Sequence, residues 1–204
     1  LDSLRSAAAK SDGVIHLAGI YQERLLTEET REAFARVLHP KVFGTWALSQ
    51  LLGGKPDKVF ISFSSLSSFF GGALVGAYSA ANSFLDSFAQ HQRRKHSAKS
   101  YCLEWSTWDE LGMSRGYPMK ELMRSRGYYA ISEKQGLYSL LAALCLDQPH
   151  VLVGLDGSSW HVRQHTDQDS YRMQKLCAYF TPKAENAPRD PLRELLVQDR
   201  FGTR

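Results

Sequence analysis

The sequence predicts an α/β fold, a parallel sheet covered on both faces by helices. Three observations carry this expectation. Short apolar, β-branched runs at residues 13–18, 59–63, 100–106 and 151–155 alternate with longer segments whose apolar residues recur at helical spacing. Apolar residues make up 43% of the 204-residue chain, enough for a core of its own. Three of the strand candidates end at small or hydroxyl residues, Gly19, Ser65 and Ser106. Ligands of parallel sheets bind beyond the carboxyl ends of the strands, so these three ends point to one cleft.

Taken in order, residues 1–10 read as the end of an amphipathic helix. Residues 13–18 (Gly-Val-Ile-His-Leu-Ala) are a buried strand closed by Gly19, so the chain opens inside a strand–helix alternation. Thr27, with Glu28, Glu29 and Thr30 after it, predicts a capped helix start. Phe34, Val37, Leu38, Val42, Trp46 and Leu51 carry the helical period to about Leu52, and Pro40 predicts a kink or a division into two helices. Residues 53–57 form a turn. A strand over 60–65 ends in serines, and a loop containing Gly71-Gly72 follows. From Gly76 to about His96 a helix buries Ala77, Ala81, Phe84, Leu85 and Phe88, and it carries Tyr78 and Asn82 one turn apart on one face. Residues 107–130 are glycine-rich and irregular, with a short helix over 119–124. Ser132, Glu133 and Gln135 start a last helix with Leu137, Leu140, Leu141, Leu144 and Cys145 as its buried stripe.

Composition excludes several function classes. No apolar run approaches the roughly 20 residues that span a bilayer, so no membrane partner is expected. The net charge of +4 is scattered, and Arg93-Arg94-Lys95 suits a solvated helix end rather than nucleic acid. Cys102, Cys145 and Cys177 are odd in number, far apart and without metal spacing. They predict no disulfide framework, no metal site and a reducing, cytoplasmic location.

The chemistry resides in hydroxyls and one amine. A phenol is a poor acid or base near neutrality, with a pKa of about 10. A nearby ammonium lowers that pKa, and a nearby hydroxyl can hydrogen-bond a carbonyl as it gains negative charge. Tyr, Ser and Lys together therefore suit hydride addition to a ketone. The usual place for the lysine, four residues after the tyrosine, holds Asn82, and Lys41 on the preceding helix is the alternative. His16 reads as a satisfied core histidine, Trp105 and Trp108 as packing residues, and Glu104 has no assigned role. His161 and His165 lack a ligand partner at convincing spacing.

The run His39-Pro40-Lys41-Val42-Phe43-Gly44-Thr45, then Phe63-Ser64-Ser65, then Tyr78-Ser79-Ala80-Ala81-Asn82-Ser83-Phe84-Leu85-Asp86 resembles one family. It is that of the ketoreductase domains of modular polyketide and hybrid nonribosomal peptide synthases, within the short-chain dehydrogenase/reductase superfamily. His16-Leu17-Ala18-Gly19 and Trp105-Ser106-Thr107-Trp108 fit the same resemblance, which covers residues 13–156. It implies a Rossmann-like, doubly wound sheet and an NADPH-dependent ketoreductase. The implied substrate is a keto acyl thioester on the phosphopantetheine arm of an acyl or peptidyl carrier protein. Tyr78 would donate the proton, Ser65 would bind the carbonyl, and Lys41 and Asn82 would hold the proton relay. Ala18 and Gly19 would lie against the cofactor, Ser106 and Thr107 near its nicotinamide, and residues 107–130 would be a lid over the acyl chain.

Departures from the family pattern shape the remaining expectations. Its Gly-x-Gly-x-x-Gly loop is missing, so the fold is expected to be N-terminally incomplete, its other half supplied by upstream residues or another chain. Ile20-Tyr21-Gln22-Glu23 and Phe70 stand where the family's stereochemical markers would be, so no product configuration is predicted. Residues 1–160 are assigned to the catalytic part. Residues 161–204 are assigned to a linker and the start of a segment like the small C-terminal subdomain of adenylation enzymes, with a strand over 174–182, a linker over 184–191 and a short helix over 192–197. Such a tail implies neighbouring synthetase domains and an α-keto acyl substrate reduced for a depsipeptide. The competing expectations are a free-standing reductase of a small ketone and a silent ketoreductase-like fragment that braces its neighbours.

Overall fold

A computed structural model describes residues 6, 10–53, 57–96, 99–109, 111–116, 118–146 and 148–166. The tail segments expected over 174–182, 184–191 and 192–197 lie outside the described residues. The fold divides into two compact units. The first comprises residues 1–105 with 148–151, and the second residues 106–147 with 152–204.

The chain runs β1 (Gly13–His16), α1 (Arg31–Leu52), β2 (Val59–Ser65), α2 (Ser67–Phe70), α3 (Gly76–His96) and β3 (Lys99–Trp105). It continues with α4 (Lys120–Ser125), α5 (Glu133–Leu146), β4 (His150–Val153) and α6 (Trp160–Arg163). The four strands form one sheet in the order β1-β2-β3-β4, and the pairs β1–β2 and β2–β3 are parallel. The expected parallel α/β architecture is therefore the observed one.

The sheet register explains where the polar residues go. Strand side chains alternate between faces. Phe60, Ser62 and Ser64 of β2 share one face with Cys102 and Glu104 of β3 and with Val14 and His16 of β1. Helices α1 and α3 lie on that face: Phe60 packs with Leu52 and Phe88, and Cys102 with Leu85 and Ala89. Val37 of α1 meets Ala77 and Ala81 of α3, so small residues let the two helices approach closely. The opposite face carries Ile61, Tyr101, Leu103 and Trp105, all buried. The face under α1 and α3 is unusually polar for a sheet interior, with His16, Ser62, Ser64 and Glu104 on it, while Ser65 at the end of β2 alternates to the other face.

Three local expectations are corrected. Helix α1 starts at Arg31 with Thr30 as its N-cap, whose Oγ1 accepts from the Ala33 amide at 3.2 Å, whereas Thr27 sits in a 3-10 turn over Leu26–Glu28. That turn is closed by the Glu28 amide donating to Leu25 O at 2.9 Å, and the segment just before it is tied down by the Arg24 amide donating to Leu74 O at 2.7 Å, a tertiary contact invisible to local capping rules. Pro40 neither divides nor ends α1, which is one helix from Arg31 to Leu52. Apolar packing of its Val37 on Ala77 and Ala81 and of its Leu52 on Phe60 and Phe88 outweighs the missing N–H. The helix ends on Gly53 in the left-handed region, φ 67°, where glycine pays no steric penalty.

In the second unit, α5 buries Gly136, Ser139, Ala142 and Ala143, while Leu137 and Leu141 of the expected stripe are exposed. The helix turns its small residues inward because the Trp108 indole reaches Gly136 so closely that a Cβ there would overlap the ring. The expected start holds, since Ser132 Oγ accepts from the Gln135 amide at 3.4 Å and the Gln135 side chain accepts from the Ser132 amide at 3.0 Å. Gly136→Ala is expected to destabilise by about 1–3 kcal/mol through overpacking. Thermal denaturation checks this, with Leu137→Ala as the near-neutral comparison.

Candidate active site

Three elements of the first unit position the candidate residues. Ser65 ends β2, where Leu66 leaves the ladder and its amide donates to Trp105 O at 3.0 Å. The turn that follows is tied to Ser65 by its own hydroxyls. Ser67 donates to Ser65 Oγ from both its amide (3.3 Å) and its hydroxyl (3.1 Å), and Ser68 Oγ donates to Ser65 O at 2.7 Å. With two bonds accepted, Ser65 Oγ has its own proton left to donate, and the Tyr78 hydroxyl is the neighbour that takes it.

Tyr78 and Asn82 stand one turn apart on α3, as the helical spacing requires. Asn82 is fully buried, and its Nδ2 donates to Tyr78 O at 2.8 Å. Its Oδ1 is buried without a hydrogen-bond partner. The Tyr78 ring stands edge-on to Tyr21, 5.1 Å between centroids and 82° between planes. Burial raises the Tyr78 pKa, and hydrogen bonds with Asn82 and Ser65 draw it partly back. Sequence reasoning expected an ammonium to dominate; desolvation does. Tyr78 is thus a neutral phenol at pH 7, the form that can give a proton.

Lys41 is 2% exposed, beneath the same region. Its Nζ donates to Phe63 O at 2.8 Å, two residues before Ser65. Burial lowers its pKa to about 8, while Cys102 and Asp86 pull it upward. His16 is buried beside it, with Nε2 3.1 Å from Pro40 O. Burial and Lys41 lower the His16 pKa, so its ring is neutral and serves as the donor to that carbonyl. This is the satisfied core histidine that the sequence implied.

Of the residues assigned to a cofactor, Ala18 and Gly19 follow the carboxyl end of β1, Ala18 exposed and Gly19 half-buried. Ser106 and Thr107 belong to the second unit. There the Ser106 amide donates to Val153 O at 2.9 Å, and Thr107 O accepts from the Ile131 amide at 2.8 Å. Ser106 Oγ is buried without a hydrogen-bond partner. The sequence missed Tyr21, whose ring walls Tyr78, because nothing in its local pattern marks it as a neighbour of a helix more than fifty residues on. Sequence reasoning also gave Glu104 no role, yet it is buried at 1% exposure against His150.

The pattern of the KR domain family matches residues 1–110. A polyketide synthase of Streptomyces halstedii (GfsB) is 37% identical over 194 residues, which are 91% of this chain and 4% of that protein. A second from the same organism (GfsE) is 39% identical over 146 residues, 70% of this chain and 4% of that protein. The chain therefore spans a small part of the curated relatives it matches. Among solved structures, one described as an adenylation, ketoreductase and pseudo-Asub multidomain structure of a keto acid-selecting NRPS module superposes with a TM-score of 0.71. It is 33% identical and covers 91% of this chain and 15% of that one. A ketoreductase domain from the bacillaene assembly line gives a TM-score of 0.66 at 30% identity, covering 74% of this chain and 39% of that one.

Proposed function

Because this chain belongs to the KR domain family, whose matched relatives are parts of polyketide synthases, we propose that it reduces a carrier-tethered keto acyl thioester to the hydroxyacyl thioester with NADPH. The observation that carries this reading is the convergence of Ser65, Tyr78 and Asn82, with Lys41 buried beneath them on Phe63 O.

The proposed mechanism follows from these groups. The cofactor, when bound, supplies a hydride to the carbonyl carbon. Ser65, its oxygen occupied by two donors from Ser67, turns its own proton toward the carbonyl oxygen. Tyr78, kept neutral by partial burial, donates its proton to the same oxygen as negative charge develops there. The phenolate so formed is refilled from the interior. The Lys41 ammonium is the group proposed to give that proton to the phenolate, with Asn82 Oδ1, a buried acceptor without a partner, proposed to orient the relay.

Ala18 and Gly19 of the first unit are proposed as cofactor contacts, and so, within the second unit, are Ser106 and Thr107. The buried, unpartnered Ser106 Oγ supports a polar ligand there. The 204 residues contain no Gly-x-Gly-x-x-Gly run to cradle the pyrophosphate, so the phosphate end would be held by groups outside this sequence.

An α-keto acyl group is the proposed substrate class. The keto acid-selecting module covers 91% of this chain and carries a pseudo-Asub part, which accords with the adenylation-like reading of residues 161–204. NADPH oxidation with α- and β-keto acyl thioester mimics tests it, using the chain alone and joined upstream to a glycine-loop half. The α-keto substrate is expected to give a kcat/KM at least about tenfold higher, the discrimination of one well-placed carbonyl contact of about 1.4 kcal/mol. Equal rates would remove the α-keto assignment. Cofactor binding without reduction of either substrate would make the bracing role the better account.

A further inference from the structure

Asp86, Glu104 and His150 lie far apart in sequence and arrive from three elements, α3, β3 and the start of β4. All three belong to the first unit. One ligand atom from each can be chosen so that all lie within 4.8 Å of one another. The proposed reduction uses none of these side chains directly.

The cluster is unusual in what it buries. Glu104 is 1% exposed on the sheet face beneath α3. Its Oε1 meets His150 Nε2, and its Oε2 is buried with no hydrogen-bond partner. A carboxylate oxygen deprived of both water and a donor is costly, and a cation is one of the few groups that offsets it. Asp86 is half-buried, and its Oδ1 accepts from Cys102 Sγ at 3.1 Å, which fixes the carboxylate toward the cluster. The His150 side chain keeps 26% of its exposure, so the cluster is open to solvent on one side.

We propose that Asp86, Glu104 and His150 form a binding site for a divalent transition cation of the zinc class. Two carboxylates and one neutral imidazole balance a 2+ charge. The donor set of one nitrogen and two carboxylate oxygens suits zinc, with a fourth position left for water. Ligand atoms about 2.0–2.2 Å from zinc stand about 3–3.5 Å apart, so side-chain rotations of about an ångström close the site. The cation would pin α3 to β3 and β4 one helical turn beyond Asn82.

The test uses the full chain, freed of metal with a chelator and titrated with Zn2+ by calorimetry. The triple variant D86N/E104Q/H150Q sets the level of adventitious binding to surface histidines. The expected result is one Zn2+ per chain above that level, weakened at least tenfold in E104Q. A Zn2+-dependent rise in melting temperature should appear in the wild type and vanish in E104Q. Co2+ should give visible absorption bands in the wild type only. If E104Q does not fold, H150Q and D86N, at less buried positions, decide by the same criteria. Wild-type binding no tighter than that of the triple variant would overturn the proposal, as would a site that survives both E104Q and H150Q. The cluster would then be a proton-holding network that needs no metal.

Discussion

Tyr78→Phe is expected to lower kcat for the proposed ketone reduction by about 10³-fold, within the 10²–10⁴ range typical of a lost general acid. Substrate and cofactor binding should change little. The substitution removes one oxygen and keeps the ring, so the edge-on packing against Tyr21 at 5.1 Å survives. Ser65 retains both donors from Ser67 and can still hold the carbonyl. Single-turnover reduction with saturating NADPH checks the prediction. A variant with wild-type kcat would take the proton-donor role from Tyr78. The pH profile carries a second signature. Burial raises the Tyr78 pKa above that of an ordinary phenol, so its deprotonation cannot produce a falling limb below about pH 10. Any loss of rate near pH 8 belongs to Lys41, whose pKa burial lowers to about 8.

Lys41→Met is expected to abolish turnover while making the protein more stable near neutral pH. The sign follows from linkage. The Lys41 pKa is about 8 in the folded state against an ordinary 10.5, so between those values the unfolded chain binds more protons. The wild type therefore gains stability as pH rises from about 8 to 10.5, and below about 8 it carries the full cost of a buried ammonium. That cost is on the order of 3 kcal/mol at about 1.4 kcal/mol per pKa unit, and the lost bond to Phe63 O returns about 1 kcal/mol of it. A net gain of about 1–2 kcal/mol at pH 7 should raise Tm by several degrees, at about 2–4 °C per kcal/mol for a chain of this size. Denaturation at pH 7 and pH 10 measures it: the variant should be the more stable at pH 7, and its advantage should shrink at pH 10. A variant less stable at pH 7 would mean that the ammonium is better compensated than its surroundings indicate. A lysine kept at a destabilising position accords with a functional role.

The regular elements could be read from the sequence wherever local pattern and tertiary demand agree. Helix α3 runs from Gly76 to His96 as its spacing implies, because Ala77, Ala81, Leu85 and Phe88 are both periodic and buried. Reading failed where a partner elsewhere sets the outcome. On α5 the leucines look like the buried stripe, but Trp108 rests on Gly136 and the small side of the helix turns inward. Thr27 and Thr30 are comparable caps in isolation, and the bond from Arg24 to Leu74 O belongs to the contacts that leave the role to Thr30.

By itself the sequence determined the parallel α/β class, the ends of β2 and β3 at Ser65 and just before Ser106, and the pairing of Tyr78 with Asn82 on one helix face, whereas β1 stops at His16, short of the expected Ala18. These follow from periods of two and 3.6 residues, which act over a few positions and need no partner. Tertiary structure alone decided the electrostatics. It buried Lys41 and half-buried Tyr78, so desolvation rather than mutual charge governs their pKa values. It also brought Asp86, Glu104 and His150 from three elements to one polar pocket on the sheet. Burial and proximity between distant segments depend on which faces the register and the helix packing bring together. No local spacing encodes that, so chemistry carried by such a cluster leaves no motif to read.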